Sequence, residues 1–455
     1  MNGLRVGLAA LLFLGATERD PAAQLAAGPA WSVEGNQADA RVGTAVSTAG
    51  DVNGDGYADV IVCADRFDRG QTDEGVAFVY HGSPFGLSKR PDWTAESDQA
   101  FATTSSAGTA GDVNGDGFDD VIVSSYLYSN DVHLEGRAWV YHGSPGGLAT
   151  SPSWSVEGDE LNVNLGAAVA GAGDVNGDGF DDVLVGVVQY SNGQQAEGRA
   201  LLYLGSAAGL DLLPVWSVEG NQAFSGFGAV ASAGDVNGDG FDDVLVGAQS
   251  MNHPQRDEGR AFLYLGSPTG PSPVPSWTAE SDQIDAAFGR PARSAGDVNG
   301  DGFDDVIIGA LQFPGGGRAY LYLGSAAGLS TLPAWIARGM RGEQFGVVSG
   351  AGDLDGDGYA DVIVGSPSFD HPRTQENEGR VQVFYGSPAG LGLRAGWSFE
   401  SGQRFAQFGS AVGGAGDVNG DGFDDVIVGA GQFDHGQQNE GAAFAFHGSS
   451  RRRLR

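Results

Sequence analysis

The stretch Asp112-Val-Asn-Gly-Asp-Gly-Phe-Asp-Asp120 decides the architecture of this chain, because close copies of it recur along the sequence. Six copies read Asp-Val-Asn-Gly-Asp-Gly-Phe/Tyr-x-Asp, and they start at Asp51, Asp112, Asp174, Asp235, Asp297 and Asp417. A seventh copy starts at Asp353 and carries Leu and Asp at its second and third positions. Successive copies start 56 to 64 residues apart, which indicates a tandem array rather than a mosaic of unlike domains.

Each copy places oxygen-bearing side chains at positions 1, 3, 5 and 9 and a glycine at position 6, the pattern of a loop that folds around one calcium ion. No glutamate follows at position 12, so the ninth residue is expected to close the site, with the backbone carbonyl of position 7 and water completing the shell. An Asn-Gly or Asp-Gly turn without metal is the alternative for a solitary copy, but seven copies in register favour metal. We therefore expect up to seven structural Ca²⁺ ions.

The expected ligands follow from these positions in every copy. They are Asp51, Asn53, Asp55, Tyr57 and Asp59; Asp112, Asn114, Asp116, Phe118 and Asp120; Asp174, Asn176, Asp178, Phe180 and Asp182; Asp235, Asn237, Asp239, Phe241 and Asp243; Asp297, Asn299, Asp301, Phe303 and Asp305; Asp353, Asp355, Asp357, Tyr359 and Asp361; and Asp417, Asn419, Asp421, Phe423 and Asp425.

Two further markers keep the same period. A Trp and a Gly-Ser pair each recur once per repeat, and short runs of β-branched and aromatic residues between glycine-rich turns predict four strands per repeat. Trp31 precedes the first Asp-rich loop, while no Trp segment follows the last Gly-Ser pair, so the N-terminal strand is expected to complete the last repeat. The sequence predicts an all-β, seven-bladed β-propeller of four-stranded antiparallel blades over residues 28–449, closed by the N-terminal strand.

Phe-Gly pairs stand at one point of several repeats and add a resemblance to this pattern. They are Phe227-Gly228, Phe288-Gly289, Phe345-Gly346 and Phe408-Gly409, with weaker versions at Leu165-Gly166, Val42-Gly43 and Ala107-Gly108. With the Asp-rich loops, they resemble the FG-GAP repeats of integrin α-subunit propellers and of secreted bacterial proteins. The resemblance implies a propeller and a role in adhesion or protein binding, although one fold hosts many functions.

The amino-acid composition limits which classes of partner and which covalent cross-links are expected. The chain has 58 acidic and 24 basic residues and a net charge of −34, much of it in the Asp-rich loops, which argues against a nucleic-acid partner. Cys63 is the only cysteine, so no internal disulfide can form, and we expect it to be a buried, inert thiol.

The chain ends carry two targeting expectations. The apolar run 6–16 resembles a secretory signal peptide and is too short to span a bilayer. We expect a signal peptide and leader over 1–27, a basic tail over 450–455, a secreted or cell-surface location and no membrane span.

In an antiparallel blade the calcium and Gly-Ser loops share one face, and the remaining loops form the opposite face. Aromatic and charged residues on that second face could recognise a partner or simply pack over the blades; they are Phe67, Asp68, Arg69, 126–133, Tyr190, 253–257, Phe313, 369–371 and 433–435. A glutamate that recurs before the third strand is expected to close its turn. His133, His253, His371 and His435 are interpreted as dispersed surface residues rather than one cluster.

No hydrolase, metalloprotease, nucleotide-binding or dinucleotide motif occurs, so the chain is not expected to be an enzyme. The favoured interpretation is an adhesion or protein-binding module. A carbohydrate-binding propeller is the alternative, and a hydrolase or lyase the third. We expect an extracellular protein or glycan to bind the face opposite the calcium loops.

Overall fold

The computed structural model describes residues 25, 28–371 and 376–450, and it confirms the predicted seven-bladed propeller. Seven four-stranded antiparallel sheets surround a common axis. The predicted signal peptide with its leader and the predicted basic tail lie outside the described residues, apart from Leu25 and Ser450. Within the described ranges, no helix is long and apolar enough to cross a membrane.

The innermost strand of each blade is rich in glycine, alanine and serine, because seven strands crowd around the axis. These strands are β2 (Val42–Gly50), β6 (Thr104–Gly111), β10 (Leu165–Gly173), β14 (Phe227–Gly234), β18 (Phe288–Gly296), β22 (Val347–Gly352) and β26 (Ala411–Gly416). The second strand is buried at every residue, as its continuous apolar sequence predicts. The second strands are β3 (Asp59–Ala64), β7 (Asp120–Ser125), β11 (Asp182–Val187), β15 (Asp243–Ala248), β19 (Asp305–Ala310), β23 (Asp361–Ser366) and β27 (Asp425–Ala430).

The third and fourth strands complete each blade toward its outer edge. The third strands are β4 (Val76–Tyr80), β8 (Arg137–Tyr141), β12 (Arg199–Tyr203), β16 (Arg260–Tyr264), β20 (Arg318–Tyr322), β24 (Arg380–Phe384) and β28 (Ala442–Phe446). The fourth strands are β5 (Trp93–Glu96), β9 (Trp154–Glu157), β13 (Trp216–Glu219), β17 (Trp277–Glu280), β21 (Trp335–Arg338), β25 (Trp397–Glu400) and β1 (Trp31–Glu34). Blades 1 to 6 are β2–β5, β6–β9, β10–β13, β14–β17, β18–β21 and β22–β25, and blade 7 is β26–β28 with β1.

The ring closes as the sequence predicts. Strand β1 pairs antiparallel with β28, with Trp31 opposite Ala445 and Glu34 opposite Ala442. The outer position of blade 7 is therefore filled by the N-terminal side of the chain, and β28 has no unpaired edge.

The recurring Trp residues join neighbouring blades. The ring of Trp93 in blade 1 packs edge-on against Tyr141 of blade 2 at 4.7 Å between centroids, and its Nε1 donates to the carbonyl oxygen of Ala149 at 2.8 Å. Equivalent contacts link the other blades, including Trp31 in blade 7 to Tyr80 and Ser88 in blade 1. The Trp recurs once per repeat because each blade uses one Trp to contact the next blade.

The Phe-Gly pairs also mark a fixed position, at the start of the innermost strand. Phe227 is fully buried and lies opposite Ala248, the last residue of the second strand. In blade 2 the same position is held by Thr104, opposite Ser125, whereas Ala107 lies opposite Val123 in mid-strand. The assignment of Ala107-Gly108 as a weak Phe-Gly pair is therefore wrong, because its register differs from that of the other pairs.

Candidate metal centres

The Asp-rich loop between the first and second strands is held by hydrogen bonds to its own side chains. In blade 2, Asp112 Oδ1 accepts from the N–H groups of Gly115 (2.7 Å) and Asp116 (3.0 Å), and Oδ2 accepts from Gly117 N–H (2.8 Å). Asn114 Oδ1 accepts from Asp116 N–H at 2.9 Å. These bonds turn the side-chain oxygens of positions 1 and 3 toward the inside of the loop.

The ninth residue opens the second strand and is fully buried in every blade; these residues are Asp59, Asp120, Asp182, Asp243, Asp305, Asp361 and Asp425. The two Asp120 oxygens accept from the N–H groups of Val113 in its own loop (3.1 Å) and of Gly143 in the Gly-Ser loop (2.8 Å). The Asp-rich loop and the Gly-Ser loop therefore meet at one carboxylate, which places both on the same face, as predicted.

Burial raises the pKa of Asp120 to about 7, and repulsion from Asp116 and Asp112 adds to the rise, whereas the hydrogen bonds from Gly143 and Val113 oppose it. A cation among these carboxylates would stabilise their charged forms. The donor set consists of oxygens, as calcium prefers over softer metals. The residues present therefore fit a bound calcium ion.

Blade 6 has four aspartates at the side-chain ligand positions 1, 3, 5 and 9 of its loop, where the other blades have three. Asp353, Asp355 and Asp361 each place a carboxylate oxygen within 4.8 Å of the other two. Desolvation raises the pKa of Asp361 to about 8, the highest among the ninth-position aspartates, with Asp355 and Asp353 contributing repulsion. The Asp at position 3, where the other loops have Asn, accounts for the additional charge.

The eighth residue of the loop has a role that the sequence analysis missed. In five blades it is an aspartate whose Oδ2 accepts from the N–H of position 1 in the preceding blade; these residues are Asp119, Asp181, Asp242, Asp304 and Asp424, with distances of 2.7 to 3.0 Å. Blades 1 and 6 have Ala58 and Ala360 there, so the contact is missing at the blade 7–1 and blade 5–6 interfaces. The signal in the sequence was the pairing of Phe-Asp in five loops against Tyr-Ala in two.

The aromatic residue at position 7 also reaches the preceding blade. The Phe118 ring covers Gly54 at position 4 of the blade 1 loop, so closely that a Cβ on Gly54 would lie 2.5 Å from the ring. The backbone there is left-handed, with a φ of +71°, which also favours glycine. The seven loops therefore form a continuous ring of contacts.

On the opposite face, the recurring glutamate closes its turn as predicted. Glu74 Oε1 accepts from the N–H groups of Arg69 (2.6 Å) and Gln71 (3.1 Å), and Glu135 and Glu197 act in the same way. The glutamate is therefore a structural element of the six blades that carry it, whereas blade 5 has Gly315, Gly316 and Gly317 before its third strand.

The histidines of this face do not meet across it. His253 Nδ1 lies 2.9 Å from Glu280 Oε2, and His435 Nδ1 lies 2.7 Å from Glu34 Oε2, in each case within one blade. His133 Nδ1 lies 3.2 Å from Asn162 Oδ1. This agrees with the interpretation of dispersed surface histidines.

The aromatics that the sequence placed on this face mostly pack over the blades. Phe369 is 3% exposed and lies under the guanidinium of Arg380, while Phe67 packs edge-on against Phe78. Phe313, Tyr128, Tyr190 and Phe433 make similar contacts. For these residues the contacts support the packing alternative.

Three other aromatics are exposed on this face, and the sequence analysis did not identify them. Phe101, Phe224 and Phe405 lie in the loops from the fourth strand to the next blade and are 60%, 59% and 45% exposed. Each has a left-handed backbone, with φ of +63°, +57° and +64°. Blades with Asp39, Asn162 or Asp285 at this point carry residues that adopt this conformation more readily.

Comparison with known proteins gives matches that cover all seven Asp-rich loops. The FG-GAP repeat model matches residues 42–80, 227–264, 345–384 and 408–446, and the FG-GAP-like repeat model matches residues 112–185 and 297–364. The four FG-GAP segments run from the start of the innermost strand through the Asp-rich loop to the third strand, and the two FG-GAP-like segments each begin at an Asp-rich loop.

Similar whole proteins include integrins and one enzyme. Integrin alpha-4 of Xenopus laevis is 34% identical over 212 residues, which is 44% of this chain and 20% of the relative, and integrin alpha-PS2 of Drosophila melanogaster is 32% identical over 243 residues, which is 49% of this chain and 16% of the relative. Human phosphatidylinositol-glycan-specific phospholipase D is 28% identical over 401 residues, 78% of this chain and 46% of that protein. The chain thus spans a fifth or less of these integrins and under half of the phospholipase.

Proposed function

Because the chain is an FG-GAP repeat protein that resembles the N-terminal propeller of integrin α-subunits, we propose that it is a secreted or cell-surface module that binds an extracellular protein. In this proposal up to seven calcium ions stabilise one face, and the opposite face binds the partner. The signal-peptide-like run at 6–16 supports secretion, and the similarity to integrins supports adhesion.

The proposed calcium ligands are the residues at positions 1, 3, 5, 7 and 9 of each loop. Two observations support them: the ninth-position carboxylates are fully buried beside other carboxylates, and the loop backbone already orients the oxygens of positions 1 and 3. Since an uncompensated buried charge is costly, a divalent ion would offset the repulsion in every blade.

The exposed left-handed phenylalanines carry the proposal for the binding face. A bulky residue with φ near +60° is strained, and such strain is concentrated at functional sites. Here the strained residues are Phe101, Phe224 and Phe405, which stand exposed on a rigid scaffold at three places around one face. Exposed aromatics of this kind are common anchors of protein interfaces.

Two further observations favour a protein partner over a glycan or an enzyme substrate. Stacking on a sugar needs a free aromatic face, whereas the rings of Phe67 and Phe369 pack over their own blades. The phospholipase similarity spans less than half of that protein, so we propose no catalytic role on its basis.

A binding array tests the proposal. The whole protein would be applied to purified extracellular matrix proteins and glycans in millimolar calcium, alongside the variant F101S/F224S/F405S. We expect the wild type to bind at least one matrix protein and the variant to lose that binding. Phe85→Ser is the matched control, because Phe85 is 97% exposed in a Gly-Ser loop on the calcium face.

Two results would contradict the proposal. Equal binding by the triple variant would show that these phenylalanines are not the anchors. Binding to glycans alone would move the function to the carbohydrate-binding alternative.

A further inference from the structure

The seven innermost strands line a central channel, and their side chains at one level can be compared directly through the sheet register. The residue that pairs with the third position of the second strand is Ser47, Gly108, Ala170, Ala231, Arg293, Ser349 or Gly413 in blades 1 to 7. Six of the seven are small, as crowding around the axis requires. Only blade 5 has a large, charged residue at this level.

Blade 5 carries a second arginine on the same strand. Strand β18 reads Phe-Gly-Arg-Pro-Ala-Arg-Ser-Ala-Gly, and Arg290 and Arg293 are its two exposed residues. The equally long strand β10 of blade 3 has Ala167 and Ala170 at these places. Because β18 packs between the innermost strands of blades 4 and 6, exposed side chains on it face the channel.

Neither guanidinium pairs with a carboxylate in the described part of the chain. Arg293 Nη1 donates to the carbonyl oxygen of Ala292 at 3.0 Å. Tyr126 interacts electrostatically with Arg290. It follows the second strand of blade 2, on the far side of the ring. Asp65, at the corresponding place in blade 1, is held by Arg41 at 3.2 Å.

Both arginine side chains are exposed, yet the protein atoms around them remove part of their hydration. Desolvation lowers the pKa of each guanidinium, and repulsion from Arg290 lowers that of Arg293 further. Two like charges that are partly desolvated and unpaired are costly, and a bound anion would offset that cost. The chain as a whole has a charge of −34, whereas Arg290 and Arg293 place two positive charges next to each other.

We propose that Arg290 and Arg293 form an oxyanion-binding site in the central channel, suited to a compact dianion of the sulfate or phosphate type. Guanidinium groups bind such groups with paired, charge-assisted N–H bonds. The glycine, alanine and serine residues of the other blades leave room for the ion beside them. This site is separate from the calcium loops and from the exposed phenylalanines.

Calorimetry with sodium sulfate tests this site, since sulfate at low millimolar concentration does not precipitate with the calcium that fills the loops. Titrations would be made at constant ionic strength, because screening weakens exposed charges. We expect one sulfate per chain in the wild type. Arg293→Ala and Arg290→Ala, which reproduce the residues of blade 3, should each weaken binding by about tenfold or more.

Two controls define the specificity. Arg90→Ala removes an exposed arginine of a Gly-Ser loop and should leave sulfate binding unchanged. Sodium acetate, a monovalent anion, should bind the wild type about tenfold more weakly than sulfate. Phosphate, tested in low calcium, should match sulfate.

A second measurement does not depend on the variants being folded. Phenylglyoxal modifies accessible arginines, and mass spectrometry of the wild type should show that sulfate slows modification of Arg290 and Arg293 but not of Arg90. Absence of sulfate binding by the wild type would overturn the proposal. So would sulfate affinities of Arg293→Ala and Arg90→Ala that are equal, together with equal protection of Arg293 and Arg90 from phenylglyoxal.

Discussion

The Oδ2 atom of Asp119 accepts a hydrogen bond from the backbone N–H of Asp51 at 2.7 Å, although the two residues belong to different blades. Asp51 is the first residue of the blade 1 loop and Asp119 the eighth residue of the blade 2 loop. The loops are therefore tied to one another as well as folded individually. The chain of contacts lacks this bond at the blade 7–1 and blade 5–6 interfaces, where Ala58 and Ala360 stand.

Asp119→Ala should lower the free energy of unfolding by about 1 to 3 kcal/mol, because it removes a charge-assisted bond and leaves the Asp51 N–H without its acceptor. The fold should persist, since Ala58 and Ala360 already occupy this position elsewhere. Denaturant unfolding in calcium measures the change.

The reverse substitution, which introduces an aspartate at the equivalent position of blade 6, tests whether the same contact can be added. Ala360→Asp places a carboxylate beside the N–H of Asp297 and should raise stability by about 1 kcal/mol. Glu160→Ala, which removes an exposed charge in a loop of the other face, is the control for charge alone and should change little. If Asp119→Ala and Glu160→Ala had equal effects, the inter-blade bond would not be the cause.

Calcium removal should lower the melting temperature substantially. Without a cation, carboxylates about 4 Å apart repel by roughly 1 to 4 kcal/mol per pair, depending on the effective dielectric, and this occurs in up to seven loops. Scanning calorimetry in millimolar calcium and in excess EDTA measures the difference, and magnesium serves as a control for ionic strength. An unchanged melting temperature in EDTA would contradict the assignment of calcium to these loops.

Asp355→Asn should weaken one calcium site without harming the fold. The substitution gives blade 6 the asparagine that the other six loops carry at position 3, so its structural cost is small. Losing one carboxylate beside Asp353 and Asp361 should reduce the affinity of that site by about tenfold or more. Calorimetric calcium titration of both proteins would reveal one weakened site among up to seven. Asn114→Asp, the converse change in blade 2, should strengthen one site, and two unaffected titrations would contradict the charge argument.

The fold was predictable from the sequence because each marker has a single geometric meaning. The recurring Trp marks the contact between neighbouring blades, the Asp-rich loop joins the first and second strands, and the four strands predicted per repeat are present in all seven blades. The register of blade 2 was misjudged because Thr104 stands where the other blades have Phe, Leu or Val. Contacts between blades, such as that of Asp119, join residues 68 apart, and no local pattern specifies them.

The opposite face was less predictable for a different reason. The sequence around a loop aromatic such as Phe369 is the same whether its ring packs beneath an arginine or faces solvent. Its burial is set by the tertiary contact with Arg380. Phe224 is exposed and has a left-handed backbone, a conformation that sequence does not predict for a phenylalanine. Arg290 and Arg293 stand out only once strand register places them among small residues.

Cys63 should be unreactive in the folded protein. Its thiol is 1% exposed in β3, and burial, with a smaller contribution from Asp65, raises its pKa to about 12. Thiolate is the reactive form, so modification at pH 8 should require blade 1 to open. Labelling by a thiol reagent, followed by absorbance, should be slow in calcium, faster in EDTA and rapid in denaturant. Rapid labelling in calcium would contradict the buried position.

Trp31→Ala should open the ring, whereas Trp93→Ala should only weaken it. Both Trp residues pack on a tyrosine of the next blade and donate Nε1 to a loop carbonyl, so the direct loss is similar, about 3 to 5 kcal/mol. They differ in connectivity: β5 is joined along the chain to β4 of its own sheet, whereas β1 meets β28 through pairing alone. Detachment of β1 would expose the edge of β28, and exposed edges pair with other chains. Sedimentation analysis should therefore show concentration-dependent self-association for Trp31→Ala and a monomeric distribution like that of the wild type for Trp93→Ala; identical behaviour of the two variants would contradict the closure argument.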